Sequence, residues 1–290
     1  MDFRSTTVSV LKNRHIFITG GGRGIGQTIA LDCKKNGAKV SLIARSPDDL
    51  TNTEKLLAAI PGEHLVLKAD VTEKVALETA MNDAVNELGP FHGIVASAGI
   101  YGEIGKFHEG DFEVWQKGIE INLVGTARTV HLAVPRFAKN TRNKIVLFSG
   151  GGQGPAPYFS SYATSKGGIS RFTETVGAEL DEANIDMNGI APGPVNTKFL
   201  DDLLNTDRRK ISPAVYEKAL KQKEQGGQPP EKAADLARWL LSSASDGLWG
   251  KTLSAVWDPY KEFTNLPELS RKDIYQVRRV VDDLGNTRAK

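Results

Sequence analysis

The chain has 290 residues, 40% of them hydrophobic and 25% charged, with 37 Lys and Arg against 35 Asp and Glu for a net charge of +2. That composition excludes a disordered or collagen-like chain, and balanced charge without a long basic block argues against nucleic acid or an anionic membrane as partner. A single cysteine, Cys33, allows no internal disulfide, and five histidines without zinc spacing argue against a structural metal.

Met1 to Arg14 lacks the apolar core of a signal peptide, and no later run approaches the about 18 apolar residues of a spanning helix, so a cytoplasmic location is expected. The first apolar, β-branched run, His15 to Thr19, reads as a strand and leads through a glycine-rich turn into an amphipathic helix from Ile25 to Lys35. Strands Lys39 to Ala44 and Leu65 to Lys68, a helix Leu77 to Glu87, a strand Gly93 to Ala96 and a long helix Phe112 to Phe137 follow. Next come a strand Lys144 to Phe148, a helix Tyr162 to Leu180, a strand Ile185 to Ile190, a helix from Pro229 to Ser242 and a strand Thr252 to Val256. This alternation predicts an α/β fold, a Rossmann-like doubly wound parallel sheet of about seven strands with helices on both faces. No Pro-, Gly- or Ser-rich linker divides the chain, so residues 1 to 260 are read as one domain. Two segments break the rhythm. Lys198 to Gln228, charged and helical in composition, is inserted at the ligand-bearing edge of such a sheet and is read as a lid. Lys261 to Lys290 is read as an extension lying on the surface or on a neighbouring subunit.

Three features carry chemistry. The turn Thr19-Gly20-Gly21-Gly22-Arg23-Gly24-Ile25-Gly26 lacks the G-x-G-x-x-G spacing but shows T-G-x-x-x-G-x-G between strand and helix. Glycines there let the backbone approach a pyrophosphate, whose charge the helix amino terminus stabilises. Tyr162 and Lys166, four apart at the start of a helix, share one face. A phenol with an ordinary pKa near 10 is a poor proton donor at neutral pH, and an adjacent ammonium lowers that value. Ser149 stands thirteen residues before Tyr162 at the end of its strand, where a hydroxyl can orient a carbonyl oxygen. Cys33, inside the first helix, is read as a small buried apolar residue rather than a nucleophile. Trp239, Trp249, Trp257 and Tyr260 are read as core and tail packing.

With these residues in order, the chain resembles the short-chain dehydrogenase/reductase family over roughly residues 12 to 257. Thr19 to Gly26 resembles the family's cofactor turn, which implies contacts from Gly20, Arg23, Gly24, Ile25 and Gly26. Asp70 and Val71 resemble its adenine contact. Ala96-Ser97-Ala98-Gly99 resembles its N-N-A-G with both asparagines replaced, which leaves Ala98 at the cofactor. Asn122 resembles its helix asparagine, Ser149, Tyr162 and Lys166 its catalytic set, and Pro192, Gly193 and Thr197 its nicotinamide-side loop. The family's D-G-G after the last strand is replaced by Trp257-Asp258-Pro259.

The resemblance implies an oxidoreductase that interconverts a carbonyl and an alcohol. In it Ser149 holds the substrate oxygen, Tyr162 donates the proton, and Lys166 lowers the tyrosine pKa and binds the ribose, while Asn122 holds a water linking the lysine to solvent. NADP(H) is the expected cofactor, because Ala44 stands where an NAD enzyme places a carboxylate, and Arg45 and Arg23 flank the same ribose. A homodimer or homotetramer through the helices 112 to 137 and 162 to 180 is also implied. Weighed against this are a nucleotide-binding regulator without turnover, which loss of Tyr162 or Lys166 would have favoured, and an isomerase or dehydratase on the same scaffold. The substrate pocket is expected to be framed by Gly150 to Phe159, with Tyr158 as a wall, by Pro194 and by the lid. A ketoacyl thioester, a sugar derivative or a steroid-like ketone all fit that frame.

Overall fold

Short strands that are apolar on both faces must be covered twice, and the computed structural model, which describes residues 9–150 and 154–277, shows how. The strands are β1 His15–Thr19, β2 Lys39–Ala44, β3 His64–Lys68, β4 Gly93–Ala96, β5 Asn143–Phe148, β6 Ile185–Ala191 and β7 Thr252–Ser254. They form one seven-stranded sheet in the order β3-β2-β1-β4-β5-β6-β7, with every neighbouring pair parallel. The order reverses between β1 and β4, the place where open sheets of this kind leave a crevice at their carboxyl ends.

The helices are α1 Gly24–Lys35, α2 Pro47–Ala58, α3 Lys74–Leu88, α4 Phe112–Ile119, α5 Gly125–Ala133, α6 Ser160–Asp181, α7 Lys198–Leu204, α8 Pro213–Gln225, α9 Pro230–Leu241 and α10 Leu266–Arg271. Alternation along β1 sorts them into two layers. Ile16 and Ile18 face a core with Ile29 of α1, Leu50 and Leu57 of α2, and Leu236 and Leu240 of α9. Phe17 points the other way, to Leu77 and Met81 of α3, Val130 of α5 and Ile169 of α6. Fully burying side chains of this size contributes about 1.5–3 kcal/mol each, so the two layers pin the register of the strand between them.

Four details depart from the sequence reading. The segment after β2, given no element there, forms α2: Ser46 caps it, Pro47 opens it, and Leu50, Thr53 and Leu57 are its buried stripe. The long helix expected from Phe112 to Phe137 is interrupted by a π-helical turn at Glu120–Val124 and ends in a 3-10 turn at Val134–Arg136. The π turn shifts the helical phase and turns Asn122 fully inward. β7 stops at Ser254 because the Ser254 amide donates to Asp258 Oδ2 (2.6 Å), while its hydroxyl accepts from the amides of Val256 and Trp257 (both 3.2 Å). That turn throws Trp257 into solvent, 74% exposed, rather than into the core.

The described part of the tail lies on its own chain. Tyr260 packs on Trp239 with ring centres 5.4 Å apart, and Phe263 on Tyr275 at 5.3 Å. The Tyr275 carbonyl then accepts from the amide of Thr252 (2.9 Å), covering the open edge of β7. The Val277 amide donates to Glu174 of α6 (2.7 Å). Residues 278–290 of the expected extension lie outside the described residues.

Candidate active site

At the crevice above β1 and β4 lies a cleft of about 1190 Å³. The glycine turn forms its floor by backbone contact. Gly20 has φ +68°, and a β-carbon there would sit 2.7 Å from the backbone of Ala98. One on Gly26 would strike the Gly20 carbonyl and lie 2.5 Å from Ser97 Oγ. Only glycine lets strand, turn and helix close this tightly. Gly24 faces Thr197 from the loop after β6, so the turn and that loop form opposite lips; Ile25, Val71, Ala98, Pro192 and Gly193 also line the cleft.

At one end of the cleft Ala44 closes β2 beside two ion pairs. Arg23 Nη1 lies 3.2 Å from Asp49 Oδ2, and Arg45 Nη1 lies 3.4 Å from Asp70 Oδ2. Both guanidinium side chains are about half exposed, at 51% and 50%. Burial raises the Asp70 carboxyl, but the Thr72 amide and hydroxyl (both 2.9 Å) and the Arg45 charge together outweigh it and hold the group below the usual carboxylate range.

Near the middle of the cleft, α6 presents Tyr162 and Lys166 one turn apart, both on its lining. The Lys166 ammonium lies 5.5 Å from the centre of the Tyr162 ring and donates to the Phe148 carbonyl at the end of β5 (2.7 Å). Burial pushes Lys166 down to about 8. Burial also pushes the Tyr162 phenol above its ordinary range, with a smaller contribution from Tyr101. The lowering expected from an adjacent lysine is absent because the Lys166 ammonium is directed to the Phe148 carbonyl, which leaves burial to set the direction. The rings of Tyr101 and Phe199 stand edge-on to Tyr162 at 5.1 and 5.9 Å.

Ser149 and Asn122 sit one layer back. Ser149 is 1% exposed and absent from the cleft lining; its hydroxyl donates to Thr252 Oγ1 on β7 at 3.4 Å, over Gly189. That separation is long for a hydroxyl pair, so the bond is weak. Asn122 uses its whole amide on protein. Oδ1 accepts from the Ile100 amide (2.8 Å), and Nδ2 donates to the Ile100 carbonyl (2.8 Å) and to Ser165 Oγ (3.0 Å). It ties the segment after β4 to α6, the helix that carries Tyr162.

Several lining residues carried no sequence signal. Tyr101, Phe199 and Asp49 all face the cleft. Tyr101 directly follows the Ala98-Gly99-Ile100 stretch at the carboxyl end of β4, which is the only hint that could have singled it out. Tyr158, expected as a pocket wall, instead packs behind it against the lid cluster of Ile104, Leu200, Leu203 and Ile211. Its backbone has φ +73°, which turns the side chain away from the face that Phe159 presents to the cleft. Gly150, Pro155 to Pro157, Pro194 and lid residues do line it, and residues 151–153 lie outside the described residues. Cys33 is buried in the core, as read from its place in α1. Among the described residues, no group of three or more His, Cys, Asp and Glu is placed to hold a metal ion, and no helix is long and apolar enough to cross a membrane.

Comparison with known proteins gives this geometry a lineage. A family model described as short chain dehydrogenase matches residues 14–208. A 2-(S)-hydroxypropyl-CoM dehydrogenase from Xanthobacter autotrophicus is 31% identical over 235 residues, 80% of this chain and 91% of that protein. Among solved structures, carveol dehydrogenase from Mycobacterium avium in complex with NAD superposes with TM-score 0.73 at 26% identity, covering 84% of this chain and 96% of that one. A variant of actinorhodin polyketide ketoreductase with NADPH superposes with TM-score 0.76 at 23% identity, covering 86% and 98%.

Proposed function

The chain belongs to the short-chain dehydrogenase/reductase family, and from that premise we propose that it is an NADP(H)-dependent oxidoreductase interconverting a carbonyl and an alcohol. The observation that carries this reading is one continuous cleft lined at once by the glycine turn, Tyr162 and Lys166. The cleft fits a dinucleotide: the space a β-carbon would fill at Gly20 and Gly26 is taken by backbone, leaving main chain to meet a pyrophosphate. Gly20, Gly24, Ile25 and Gly26 would hold that pyrophosphate, Arg23 and Arg45 the 2′-phosphate, and Asp70 and Val71 the adenine. Ala98, Tyr162 and Lys166 would hold the inner ribose, and Pro192, Gly193 and Thr197 the nicotinamide. When bound, the cofactor supplies or takes up the hydride at the carbonyl carbon.

The chain's own residues move the proton. In reduction, Tyr162 gives its phenolic proton to the carbonyl oxygen; in oxidation it takes that proton back. A substrate entering beside Tyr162 displaces the Phe199 ring and lets Ser149 rotate from Thr252 to donate to the same oxygen. Lys166 stabilises the phenolate and returns a proton to it, and Asn122 fixes the spacing between the segment after β4 and α6.

Cofactor choice follows from magnitudes. Exposed ion pairs such as Arg23–Asp49 and Arg45–Asp70 contribute about 0–1 kcal/mol each. Charge-assisted bonds to a 2′-phosphate contribute about 1.5–3 kcal/mol each, so both guanidiniums exchange carboxylate for phosphate when it arrives. The test is a pair of measurements. Wild-type kcat/KM should favour NADPH over NADH by about 10-fold or more, and Tyr162→Phe should lower turnover about 10²- to 10⁴-fold with cofactor affinity little changed. Parity of the two cofactors, or near-normal turnover in the Phe variant, overturns the reading.

Residues 1 to 260 then form one catalytic domain with the lid inserted, followed by the extension. A cytoplasmic location belongs to the same reading. The outer face of α4 supports a homodimer or homotetramer, since Phe112 (60% exposed) stacks on Trp115 beside exposed Phe107. Light scattering at micromolar concentration should give at least a dimer, and a monomer would contradict this.

A further inference from the structure

The glycine-lined half of the cleft accounts for a dinucleotide but says nothing of what meets Tyr162 from the other side. There the walls come from the segment after β4, the loop before α6 and the two lid helices. Tyr101 stands at their centre, its ring centre 5.2 Å from Phe159, 4.9 Å from Phe199 and 5.1 Å from Tyr162. Behind this aromatic ring of side chains, Leu200 and Leu203 of α7 lie in a buried apolar cluster with Ala219 of α8.

The charged groups on this half are about half exposed, which places them at its rim in water and not among the rings. Lys223 pairs with Asp201 at 2.5 Å and Lys198 with Asp202 at 3.8 Å. The Gln222 amide donates to Asn196 Oδ1 (3.1 Å), and Asn196 Nδ2 donates to the Gln222 carbonyl (3.2 Å). Lys218 stands exposed on α8 at the mouth. A ligand hydroxyl that loses water here without gaining a partner is penalised, whereas apolar ring surface gains from burial and from edge contacts with the aromatic walls.

Resting on the dehydrogenase reading above, we propose that the substrate is a neutral, mostly apolar ring ketone, or the matching secondary alcohol, and not a sugar, a polyol or a charged acyl thioester. Its carbonyl points to Tyr162 while its ring takes the place from which Phe199 is displaced, against Tyr101 and Phe159. The reaction balances within the cleft: the carbonyl carbon gains a hydride from the reduced nicotinamide and the oxygen a proton from Tyr162, giving the alcohol and the oxidised cofactor.

The test separates binding from turnover. 1-Tetralone, acetoacetyl-CoA and, in the oxidative direction, glucose and xylitol are each assayed with NADPH or NADP⁺ and with NADH or NAD⁺. Binding of 1-tetralone to the cofactor-loaded protein is followed in parallel by saturation-transfer NMR. We expect kcat/KM for 1-tetralone to exceed that for the thioester and both polyhydroxy compounds by about 100-fold. Leu203→Asn should weaken 1-tetralone binding about tenfold with cofactor affinity unchanged, and Leu203→Met should restore it. Turnover of a sugar, xylitol or the thioester that equals or exceeds that of the ring ketone overturns the proposal, as does failure of 1-tetralone to bind. Tight binding of 1-tetralone without turnover by either cofactor sinks the dehydrogenase reading and leaves the apolar pocket standing.

Discussion

The two halves of the cleft are built on opposite principles. The dinucleotide half is floored by backbone: Gly20 lies against the main chain of Ala98, where a β-carbon would sit 2.7 Å away, and Gly26 against the carbonyl of Gly20. The other half is made of side chains from an insertion, with Tyr101, Phe199, Leu200 and Leu203 meeting across loops and lid. Backbone contacts cannot give way, so the first half tolerates almost no change and accepts one kind of ligand. Side-chain walls can be repacked at a cost of about 1 kcal/mol or so when volume is kept, and that is where selectivity among carbonyl compounds can be tuned without disturbing the cofactor. Tyr162 and Lys166 lie at the seam, one neighbour in each half.

The sharpest way to break this contrast is Gly20→Ala. The new methyl group would sit 2.7 Å from the Ala98 backbone at a residue with φ +68°, so neither contact nor conformation is relieved cheaply. Loss of detectable NADPH binding and about 2 kcal/mol or more of stability are expected, read by cofactor fluorescence and urea melts. Leu203→Ala, in the side-chain half, should leave NADPH affinity within about twofold. Equal damage to cofactor binding from both variants would erase the distinction.

Next in size is the hydroxyl at the seam. If Ser149 turns from Thr252 to the substrate oxygen, Ser149→Ala should lower kcat by about 10²- to 10³-fold, as removal of an oxyanion donor does. Thr252→Val, which removes only the resting partner at 3.4 Å, should change it by no more than about twofold. A large loss in the valine variant would mean that the resting bond, not a rotated one, is what turnover needs.

The smallest expected effect is thermodynamic. Burial pushes Lys166 down to about 8 from an ordinary 10.5, so the folded chain holds fewer protons than the unfolded one between those values. The sign follows: the penalty for burying the ammonium is present in full below pH 8, and stability rises with pH as it is relieved from 8 toward 10.5. At about 1.4 kcal/mol per tenfold change in proton affinity, a gain on the order of 1–3 kcal/mol is expected across that window. Urea melts of the cofactor-free wild type against Lys166→Met, whose curve should lack this rise, check it. Parallel curves would place the ammonium in contact with water.

Much of the fold was legible because its signals are local. The strand and helix alternation, the glycine turn and the four-residue spacing of Tyr162 and Lys166 depend on neighbours a few positions apart. α2 escaped notice although Ser46-Pro47-Asp48-Asp49 is a good capping sequence, because its buried stripe is only Leu50, Thr53 and Leu57. The π turn at Glu120–Val124 escaped for a different reason: it adds a residue to a helical turn without changing composition or period enough to be read.

What the sequence by itself determined was the doubly wound sheet and part of the lining of its crevice, Gly20, Arg23, Tyr162 and Lys166 among it, with Ala44 in place of a carboxylate at the end of β2. What only the tertiary structure decided was direction and company: Ser149 facing Thr252 on β7, Arg23 and Arg45 each drawn to a carboxylate on another element, Tyr158 behind the cleft where Tyr101 stands within it, and Tyr275 laid along the edge of β7. Periodicity fixes which face of an element a side chain occupies. Which partner it meets depends on loops, insertions and rotamers that join residues dozens to more than a hundred positions apart, as in the bond between Ser149 and Thr252, and no pattern confined to neighbours in the chain encodes that meeting.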